Sequence, residues 1–422
     1  MDSAGTNGTN WANTHRFQAR GSVTAETEEK IVELVSGGQQ VRALGTRHSF
    51  NDIADTRGLL VEAKSFKGQV TIDEQHHRVR VPAGISYGAL GEILQLRGWA
   101  LHNLGSLPHI SVAGACATGT HGSGVANKSL ATSVREIELI AGRGRRLRLD
   151  AEDPRFDGAV VALGALGIVT SLTLQIEPSF EIRQYVYLDM PWSELDNLDD
   201  IMASAYSVSL FTRWNDVVDQ VWAKYKLVEG VPPLLAPYFR ATAATKAVSP
   251  TGDNPDDATA QGGLPGPWNE RLPHFRFNRI PSHGDEIQSE YFVAREFALT
   301  ALRALQEISA DFHEHLIISE LRYVAADNLW MSPAYHRDSL AIHFTWKKHP
   351  HDVRQILALV EETLEPFCAR PHWGKWFEMD ATRIATLYER QPDFVSLIHE
   401  LDPDRQFNNA YLERVLFGHS TA

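Results

Sequence analysis

The stretch LGSLPHISVAGACATGTHGSG, residues 104–124, decides the fold. It consists mostly of small residues and contains no Asp, Glu, Lys or Arg, so its backbone can approach a large flat ligand closely. The residues alone leave two interpretations open: a ligand-binding loop, or a tightly packed loop inside an α+β domain. The two familiar nucleotide-binding patterns, G-x-G-x-x-G and G-x-x-x-x-G-K-[ST], do not occur in the sequence.

A second glycine turn, RALGTRHSFN, covers residues 42–51 and follows the predicted strand QVRAL, residues 40–44. It places Gly45, Arg47 and His48 directly before Ser49. Nucleotide cofactors need backbone N–H groups that can approach a pyrophosphate, so a glycine turn after a strand is a candidate site for one. Turn chemistry alone also allows a plain surface turn with a hydrogen-bonded histidine.

Taken together, LGTRHSFN (44–51) and SLPHISVAGACATGTHGSG (106–124) resemble the FAD-binding domain of the vanillyl-alcohol-oxidase flavoprotein family. PHWGKWF (371–377) and FNNAYLERVL (407–416) resemble its sugar-oxidising branch, which includes aldonolactone oxidases. ASAYSVSLF (203–211), LPGPWNERLPHFR (264–276) and SELR (319–322) extend the resemblance to the alditol-oxidising members over nearly the whole chain.

The resemblance implies FAD joined covalently through His48 to the flavin 8α-methyl group. In that arrangement Gly45 lets the backbone meet the pyrophosphate, and Arg47 and Ser49 supply donors there. The further residues implied to bind FAD are Thr46, Gly105, Ser106, Ser111, Gly114, Thr118, Gly119, Thr120, His121, Gly122 and Ile168.

Two predicted strands carry polar residues of a candidate substrate site. In HLIISELRYVAAD (315–327), Glu320 and Arg322 are two residues apart and project from one face. Alone, they fit either a binding site or a structural ion pair at a sheet edge. In LAIHFTWKK (340–348), His343 and Thr345 share a face, and the two strands can pair antiparallel.

Lys375 lies between two tryptophans in PHWGKWF, which indicates either cation–π packing or a desolvated catalytic charge. The resemblance implies that Glu320, Arg322, Thr345, Lys375 and Ser106 line a polyol pocket over the flavin. Arg322 and Lys375 then stabilise developing negative charge, Glu320 binds substrate hydroxyls, and Lys375 is the preferred proton acceptor.

The activity implied is oxidation of the primary hydroxyl of alditols such as xylitol and sorbitol to the aldose, with hydride transfer to the flavin and reduction of O₂ to H₂O₂. The alternatives are an aldonolactone oxidase or dehydrogenase and a non-catalytic flavin-binding protein. Gly105 is expected to leave a path for O₂ to the flavin. A glycine that only satisfies a turn is the other interpretation.

The 422 residues exceed one ordinary domain. The predicted fold is α+β, with a two-subdomain FAD-binding domain (1–180), a cap domain on an antiparallel sheet that binds substrate (181–375), and a C-terminal segment (376–422) returning to the first domain. Residues 228–275 are expected to form a long loop, because they show no periodicity. EYFVAREFALTALRALQEISADF (290–312) predicts one long amphipathic helix.

Short-range patterns predict three elements of the first part. TAETEEKIVELVSGG (24–38) predicts a helix, because it has a threonine cap candidate, acidic residues in its first turn and a terminal glycine. QVTIDEQHHRVRVPAG (69–84) predicts a hairpin, and REIELIAGRGRRLRLD (135–150) predicts a second hairpin that turns at AGRGR.

Composition excludes several function classes. The net charge of −13 disfavours nucleic acid and anionic membranes. The apolar run at 159–176 is interpreted as a buried loop and strand, and the polar N-terminus does not resemble a signal peptide.

Cys116 and Cys368 are expected to be buried, and no metal is expected because His102, His109, His121 and His313 lack ligand spacing. A cytoplasmic monomer is predicted.

Overall fold

The computed structural model describes residues 8–63, 66, 68–227, 238–252, 254–279 and 284–418. The first part opens with a parallel sheet in the strand order β1-β3-β2. Its elements are β1 Gly21–Thr24, α1 Glu28–Ser36, β2 Val41–Leu44 and β3 Leu59–Glu62. The predicted helix α1 is confirmed: the Thr27 side chain accepts a hydrogen bond from the Lys30 N–H, and two glutamates in the first turn favour this end of the helix.

A five-stranded antiparallel sheet follows, in the order β4-β5-β9-β7-β8, and β6 pairs with β10 beside it. The elements of this stretch of the chain are β4 Thr71–Asp73, β5 Arg78–Pro82, α2 Tyr87–Leu96, β6 Trp99–Ala100, α3 Val112–Ala117, β7 Val134–Ala141, β8 Arg145–Asp150, α4 Phe156–Val160, β9 Ile168–Gln175 and β10 Glu177–Pro178. Both predicted hairpins, at 69–84 and 135–150, are confirmed. The second turns at Arg143 and Gly144, which have left-handed φ of 62° and 73°.

The second part is built on a nine-stranded antiparallel sheet, ordered β14-β11-β13-β12-β17-β18-β16-β19, with β15 paired to β11. The elements of this part are β11 Glu181–Pro191, α5 Leu198–Ala203, β12 Ser207–Thr212, β13 Val217–Lys226, β14 Thr242–Ala243, β15 Gly266–Pro267, β16 Glu286–Ala294, α6 Ala298–Glu307, α7 Ser309–Phe312, β17 Leu316–Val324, β18 Ser339–Lys347, α8 Pro350–Leu364 and β19 Arg370–Pro371. The predicted antiparallel pairing of the strands at 316–324 and 339–347 is confirmed.

The chain ends with α9 Ala381–Leu387, α10 Gln391–Leu401, α11 Ala410–Leu412 and a π-helical turn, Glu413–Phe417. This end of the chain contacts the first sheet. The Val41 N–H donates to the Gln406 carbonyl at 2.9 Å, and the Arg42 guanidinium donates to the Phe407 carbonyl at 2.7 Å. The domain boundaries themselves remain predictions. No helix within the described ranges is long and apolar enough to cross a bilayer.

Two expectations need correction. Residues 290–294 end strand β16 instead of beginning a helix, because this aromatic and β-branched piece pairs with β18; the helix begins only at Ala298. Cys368 is exposed, on a left-handed residue (φ 48°) that ends a helical turn, whereas Cys116 is buried as expected. One alternative for Glu320 and Arg322, an ion pair at a sheet edge, is excluded, because both residues lie on an interior strand between β12 and β18.

Within the predicted loop at 228–275, residues 238–252 and 254–275 contain the short strands β14 and β15 and two helical turns. Residues 228–237, like the polar N-terminal residues 1–7, lie outside the described part of the chain.

Candidate active site

The polar residues of the large sheet meet on one face. Pairing places Glu290 opposite His343, and His343 opposite Glu320, so that one row crosses β16, β18 and β17. Two residues further along these strands, and so on the same face, Gln288 lies opposite Thr345. Because side chains alternate along a strand and opposed residues point the same way, these five project together.

This face closes one side of a cavity of about 630 Å³, whose other side is formed by the two glycine-rich stretches. Sixteen of the predicted site residues line it: Gly45, Thr46, Arg47, His48, Ser49, Gly105, Ser106, Ser111, Gly114, Thr118, Thr120, His121, Glu320, Arg322, Thr345 and Lys375. The structure therefore brings the predicted cofactor and substrate residues together around one space.

Three residues predicted to bind FAD are not among those that line this cavity. A Cβ at Gly119 would lie 3.0 Å from Pro333, and a Cβ at Gly122 would lie 2.5 Å from Asn103, so each glycine serves close packing. Ile168 is fully buried in a small apolar cluster with Val41 and other core residues. Packing accounts for these three positions.

Arg322 is the centre of a buried charge network. One guanidinium nitrogen donates to Glu290 at 2.8 Å, another to the Ser106 hydroxyl at 3.3 Å, and Nε lies 3.5 Å from Glu320. Glu290 also accepts a hydrogen bond from His121 Nε2 at 3.0 Å. Burial alone would raise the pKa of Glu290, but His121 and Arg322 hold it well below its usual range.

Glu320 is held ionised in the same way. Burial opposes its charge, yet Arg322 and His274 lower its pKa below the usual range. Arg322 carries the complementary shift: burial lowers its pKa, and the two carboxylates raise it above the ordinary value. The site therefore holds two carboxylates and a guanidinium in their charged forms. Arg322 Nε is buried beside Glu320 and makes no hydrogen bond within the described residues, so its contact with that carboxylate is electrostatic.

Lys375 reaches the same cavity from the segment after β19. Its Nζ donates a hydrogen bond to the Gln288 side chain and lies 4.8 Å above the ring of Phe50. Phe50, and not the flanking tryptophans, is the ring beneath the ammonium. Burial and the charge of Arg322 lower the pKa of Lys375 to about 8, against the opposing charge of Glu290. A lysine with this pKa exchanges a proton near neutral pH.

His48 lines the cavity with a buried imidazole. Its ring stacks on Trp11 with centroids 5.2 Å apart, and its Nδ1 is buried without a hydrogen-bond partner among the described residues. Burial, with the charges of His109 and Lys375, lowers its pKa to about 4. The neutral imidazole keeps a lone pair, which an electrophilic carbon can share.

The glycine turns fit the same cofactor. A Cβ at Gly45 would lie 2.8 Å from the Ser111 hydroxyl, and a Cβ at Gly114 would lie equally close to it. Glycine at both positions therefore lets the two loops approach and leaves their backbone open to a ligand. His48 lines the same cavity, and its Nδ1 makes no hydrogen bond within the described part of the chain, so the residues present fit FAD.

Sequence reasoning missed several polar groups of this site. Glu290 and Gln288 were hidden because the strand EIQSEYFVA (286–294) was interpreted partly as a helix, although its alternation puts both on one face. His274 and His372 also line the cavity, and His274 Nε2 lies 2.7 Å from Glu320. His372 lies in PHWGKWF and His274 in LPGPWNERLPHFR, stretches that carry the family resemblance, but neither stretch is periodic, and no local pattern gave these histidines a role.

Two groups in the described part of the chain have ligand atoms close enough to suit a metal ion. In the buried group, His121, Glu290 and His372, the carboxylate already accepts hydrogen bonds from His121 and Arg322. In the exposed group, the Nδ1 atoms of His315 and His349 lie within hydrogen-bond distance, at 3.0 Å. These hydrogen bonds account for the arrangements, and the expectation of no metal stays a prediction.

Fold and site together define a class: a two-part flavoprotein oxidoreductase, with a cofactor domain and a polar substrate face on an antiparallel sheet. Residues 19–150 match the family described as FAD binding domain, and residues 283–415 match D-arabinono-1,4-lactone oxidase. The chain belongs to the vanillyl-alcohol-oxidase-type flavoprotein family and is an FAD-dependent oxidoreductase.

Within that family, the chain is 42% identical over 415 residues to the alditol oxidase of Streptomyces sp. (strain IKD472 / FERM P-14339), covering 97% of this chain and 99% of the relative. It is 28% identical over 422 residues to the L-gulono-1,4-lactone dehydrogenase of Mycobacterium tuberculosis, covering 93% and 94%. A solvent-stable cholesterol oxidase has the same fold, with a TM-score of 0.78 at 15% identity over 96% of both chains.

Proposed function

We propose that the protein is an FAD-dependent oxidase that converts the primary hydroxyl of an alditol, such as xylitol or sorbitol, to the aldose and reduces O₂ to H₂O₂. The observation that carries the proposal is the single polar face that joins Glu320, Arg322 and Thr345 to Ser106 and Lys375 around one cavity. Such a row of donors and acceptors suits a chain of hydroxyl groups. The 42% identity to an alditol oxidase supports the same substrate class.

His48 is the proposed attachment point of FAD. Its neutral imidazole, and an Nδ1 that has no hydrogen-bond partner among the residues the structure describes, support a covalent bond to the cofactor. FAD, when bound, supplies a two-electron acceptor that is reoxidised by O₂. The protein supplies binding, orientation and charge.

The proposed proton acceptor is Lys375. With a pKa of about 8, about a tenth of the lysine is neutral at pH 7 and free to accept a hydroxyl proton. The negative charge of Glu290 favours the ammonium that results. Arg322 stays charged throughout and stabilises negative charge on the substrate oxygen.

Ser106, Thr345 and Glu320 are the proposed contacts for the remaining hydroxyls. Glu320 is ionised and accepts hydrogen bonds only, whereas the two hydroxyl side chains can donate or accept. A site of this kind selects polyols, because a substrate without hydroxyls leaves buried polar groups unpaired.

Gly105 supports O₂ as the electron acceptor. It lines the cavity and is not in the left-handed region, so its backbone does not require glycine. A Cβ there would lie 3.6 Å from the His121 carbonyl and 3.7 Å from Thr120, an ordinary contact distance. The backbone and the neighbours thus tolerate a side chain, and we infer that the missing one leaves room for O₂.

A sugar-lactone oxidase or dehydrogenase is the second candidate, because residues 283–415 match the D-arabinono-1,4-lactone oxidase family. The higher identity to an alditol oxidase favours the first candidate. A non-catalytic flavin-binding protein would leave the network around Arg322 without a role. A monomeric state and a cytoplasmic location remain predictions.

The test is H₂O₂ release in air with xylitol, with L-gulono-1,4-lactone and with 1-butanol. We expect rapid release with xylitol and a kcat/KM for 1-butanol that is lower by roughly 10⁴-fold or more. Faster turnover of the lactone than of xylitol would favour the second candidate. Comparable values for xylitol and 1-butanol would contradict the polyol site, and no turnover of any substrate would favour the non-catalytic alternative.

A further inference from the structure

Lys224, on strand β13, is a buried lysine that is not among the residues lining the cavity. It is 1% exposed, and its Nζ donates to the carbonyl oxygens of Arg271 at 2.7 Å, Leu272 at 2.7 Å and Pro273 at 3.0 Å. A neutral amine has two hydrogens to donate and an ammonium has three, so three acceptors match the charged form. A buried charge persists only where it is fully hydrogen-bonded. Lys224 is therefore tied to the backbone of residues 271–273.

Burial acts against this charge. It lowers the pKa of Lys224 well below its usual value, and the negative charge of Glu320 opposes that shift. The carboxylate and the three carbonyl oxygens thus compensate the ammonium from the same side of the sheet. Lys224 therefore interacts electrostatically with Glu320 of the candidate substrate site, although Lys224 is not among the residues that line the cavity.

The backbone that Lys224 holds continues directly into the site. The N–H groups of His274 and Phe275 both donate to the Ser106 carbonyl, at 3.1 and 3.2 Å. The His274 Nε2 lies 2.7 Å from Glu320. One short segment therefore contacts a predicted substrate residue from each part of the molecule: Ser106 from the glycine-rich stretch and Glu320 from the sheet.

His274 is a neutral donor in this arrangement. Burial lowers its pKa to about 4, against the opposing charge of Glu320. Since an ionised carboxylate only accepts hydrogen bonds, the single ring hydrogen belongs on Nε2, facing Glu320. Arg322 Nε approaches the same Glu320 oxygen at 3.5 Å. His274 and Arg322 thus both orient that carboxylate.

We propose that Lys224 and His274 are positioning residues of the substrate site: Lys224 holds residues 271–273, and the next two residues hold Ser106 and Glu320 where an alditol binds. This inference rests on the proposed function, because it concerns the hydroxyl contacts of that same site. Neither residue is assigned a step in the reaction. Lys224 acts through the backbone, and His274 acts through Glu320.

The decisive comparison is between H274A and H274Q in the flavin-loaded protein. The glutamine amide keeps a donor for Glu320, and alanine removes it. We expect H274A to raise the KM for xylitol roughly tenfold or more, as for loss of a hydrogen bond to a charged group. We expect H274Q to recover most of that loss. Both variants should keep bound flavin and change kcat less than KM.

K224M tests the anchor, with K226M as the matched control. Methionine is a long apolar side chain without a charge, and Lys226 lies two residues along the same strand in a half-buried ion pair with Glu177, at 2.9 Å. We expect K224M to raise the KM for xylitol and K226M to leave it unchanged. Because Lys224 acts through the same segment, the K224M/H274A double variant should be less impaired than the sum of the two single changes in free energy predicts.

A purely structural role has a different signature. It would lower the melting temperature and the flavin content of K224M and H274A, while the KM of the flavin-loaded fraction stayed at the wild-type value. That result would overturn the proposal. If K224M does not fold, the H274A and H274Q pair decides alone. If the wild-type protein oxidises a sugar lactone and not xylitol, the proposed function fails, and the same KM comparison is then made with the lactone.

Discussion

Replacing Arg322 by alanine tests the centre of the charge network. The change removes the donor to Glu290 at 2.8 Å, the donor to Ser106 at 3.3 Å and the positive charge beside Glu320. Arg322 is 6% exposed, so water does not replace it freely. Glu290 keeps its hydrogen bond from His121, and Glu320 keeps that from His274. The fold therefore retains partners for both carboxylates.

Two magnitudes follow from this geometry. Loss of one preorganised donor to the developing charge lowers kcat by about 10²- to 10³-fold, or about 2.7–4 kcal/mol. Removing one partner of a buried ion pair also lowers the free energy of unfolding by about 3–5 kcal/mol. The kcat and the free energy of unfolding of R322K should lie between those of wild type and R322A. An ammonium keeps the positive charge, but it has no planar fork to reach Glu290 and Ser106 together.

The assay is anaerobic loss of the yellow absorbance after mixing with saturating xylitol, normalised to bound flavin. R303A is the control, since Arg303 forms an exposed ion pair with Asp196 at 2.6 Å, and exposed pairs contribute at most about 1 kcal/mol. A rate for R322A within about threefold of wild type, well short of the expected loss, would refute the role given to Arg322. A slow rate in R303A as well would indicate general damage.

Three further predictions concern the cofactor, the proton and oxygen. After acid precipitation, the yellow colour should stay with the wild-type polypeptide and be lost in H48A; colour in the wild-type supernatant would exclude the covalent bond. If neutral Lys375 is the base, kcat/KM should rise with pH through about 8, where the deprotonated form becomes dominant, and K375M should abolish the rise; a fall over that range would instead assign Lys375 a cationic role. G105V should slow reoxidation by O₂ while reduction by xylitol persists, and equal slowing of both half-reactions would indicate a disturbed loop.

Local patterns in the sequence predicted many of the secondary-structure elements. The threonine cap and the acidic first turn of α1, the two hairpins of the first part, and the alternation that puts Glu320 and Arg322 on one face of β17 are short-range signals. They depend on neighbours a few residues apart, which a single chain displays directly. The wrong prediction of a single helix over 290–312 also comes from reading a local pattern. An apolar strand followed directly by a helix gives one continuous run of apolar residues, which periodicity alone does not divide.

The long-range partners of the site could not be predicted in the same way. Glu290 meets Arg322 only because β16 and β17 flank β18, and His274 meets Glu320 from a segment without periodicity. The exposure of Cys368 and the interior place of β17 also depend on which elements pack together. No local pattern contains that information.

By itself, the sequence determined the family, the two glycine-rich stretches and the polar residues of two strands, because these are properties of residue type and spacing. Only the tertiary structure decided that His48 is neutral with a nitrogen that has no partner among the described residues, that the pKa of Lys375 is lowered to about 8, and that Glu290 and His274 join the candidate site. The physical reason is that burial and the electrostatic field of distant charges set protonation and orientation. Both arise only when the cofactor loops and the sheet face close around the same cavity.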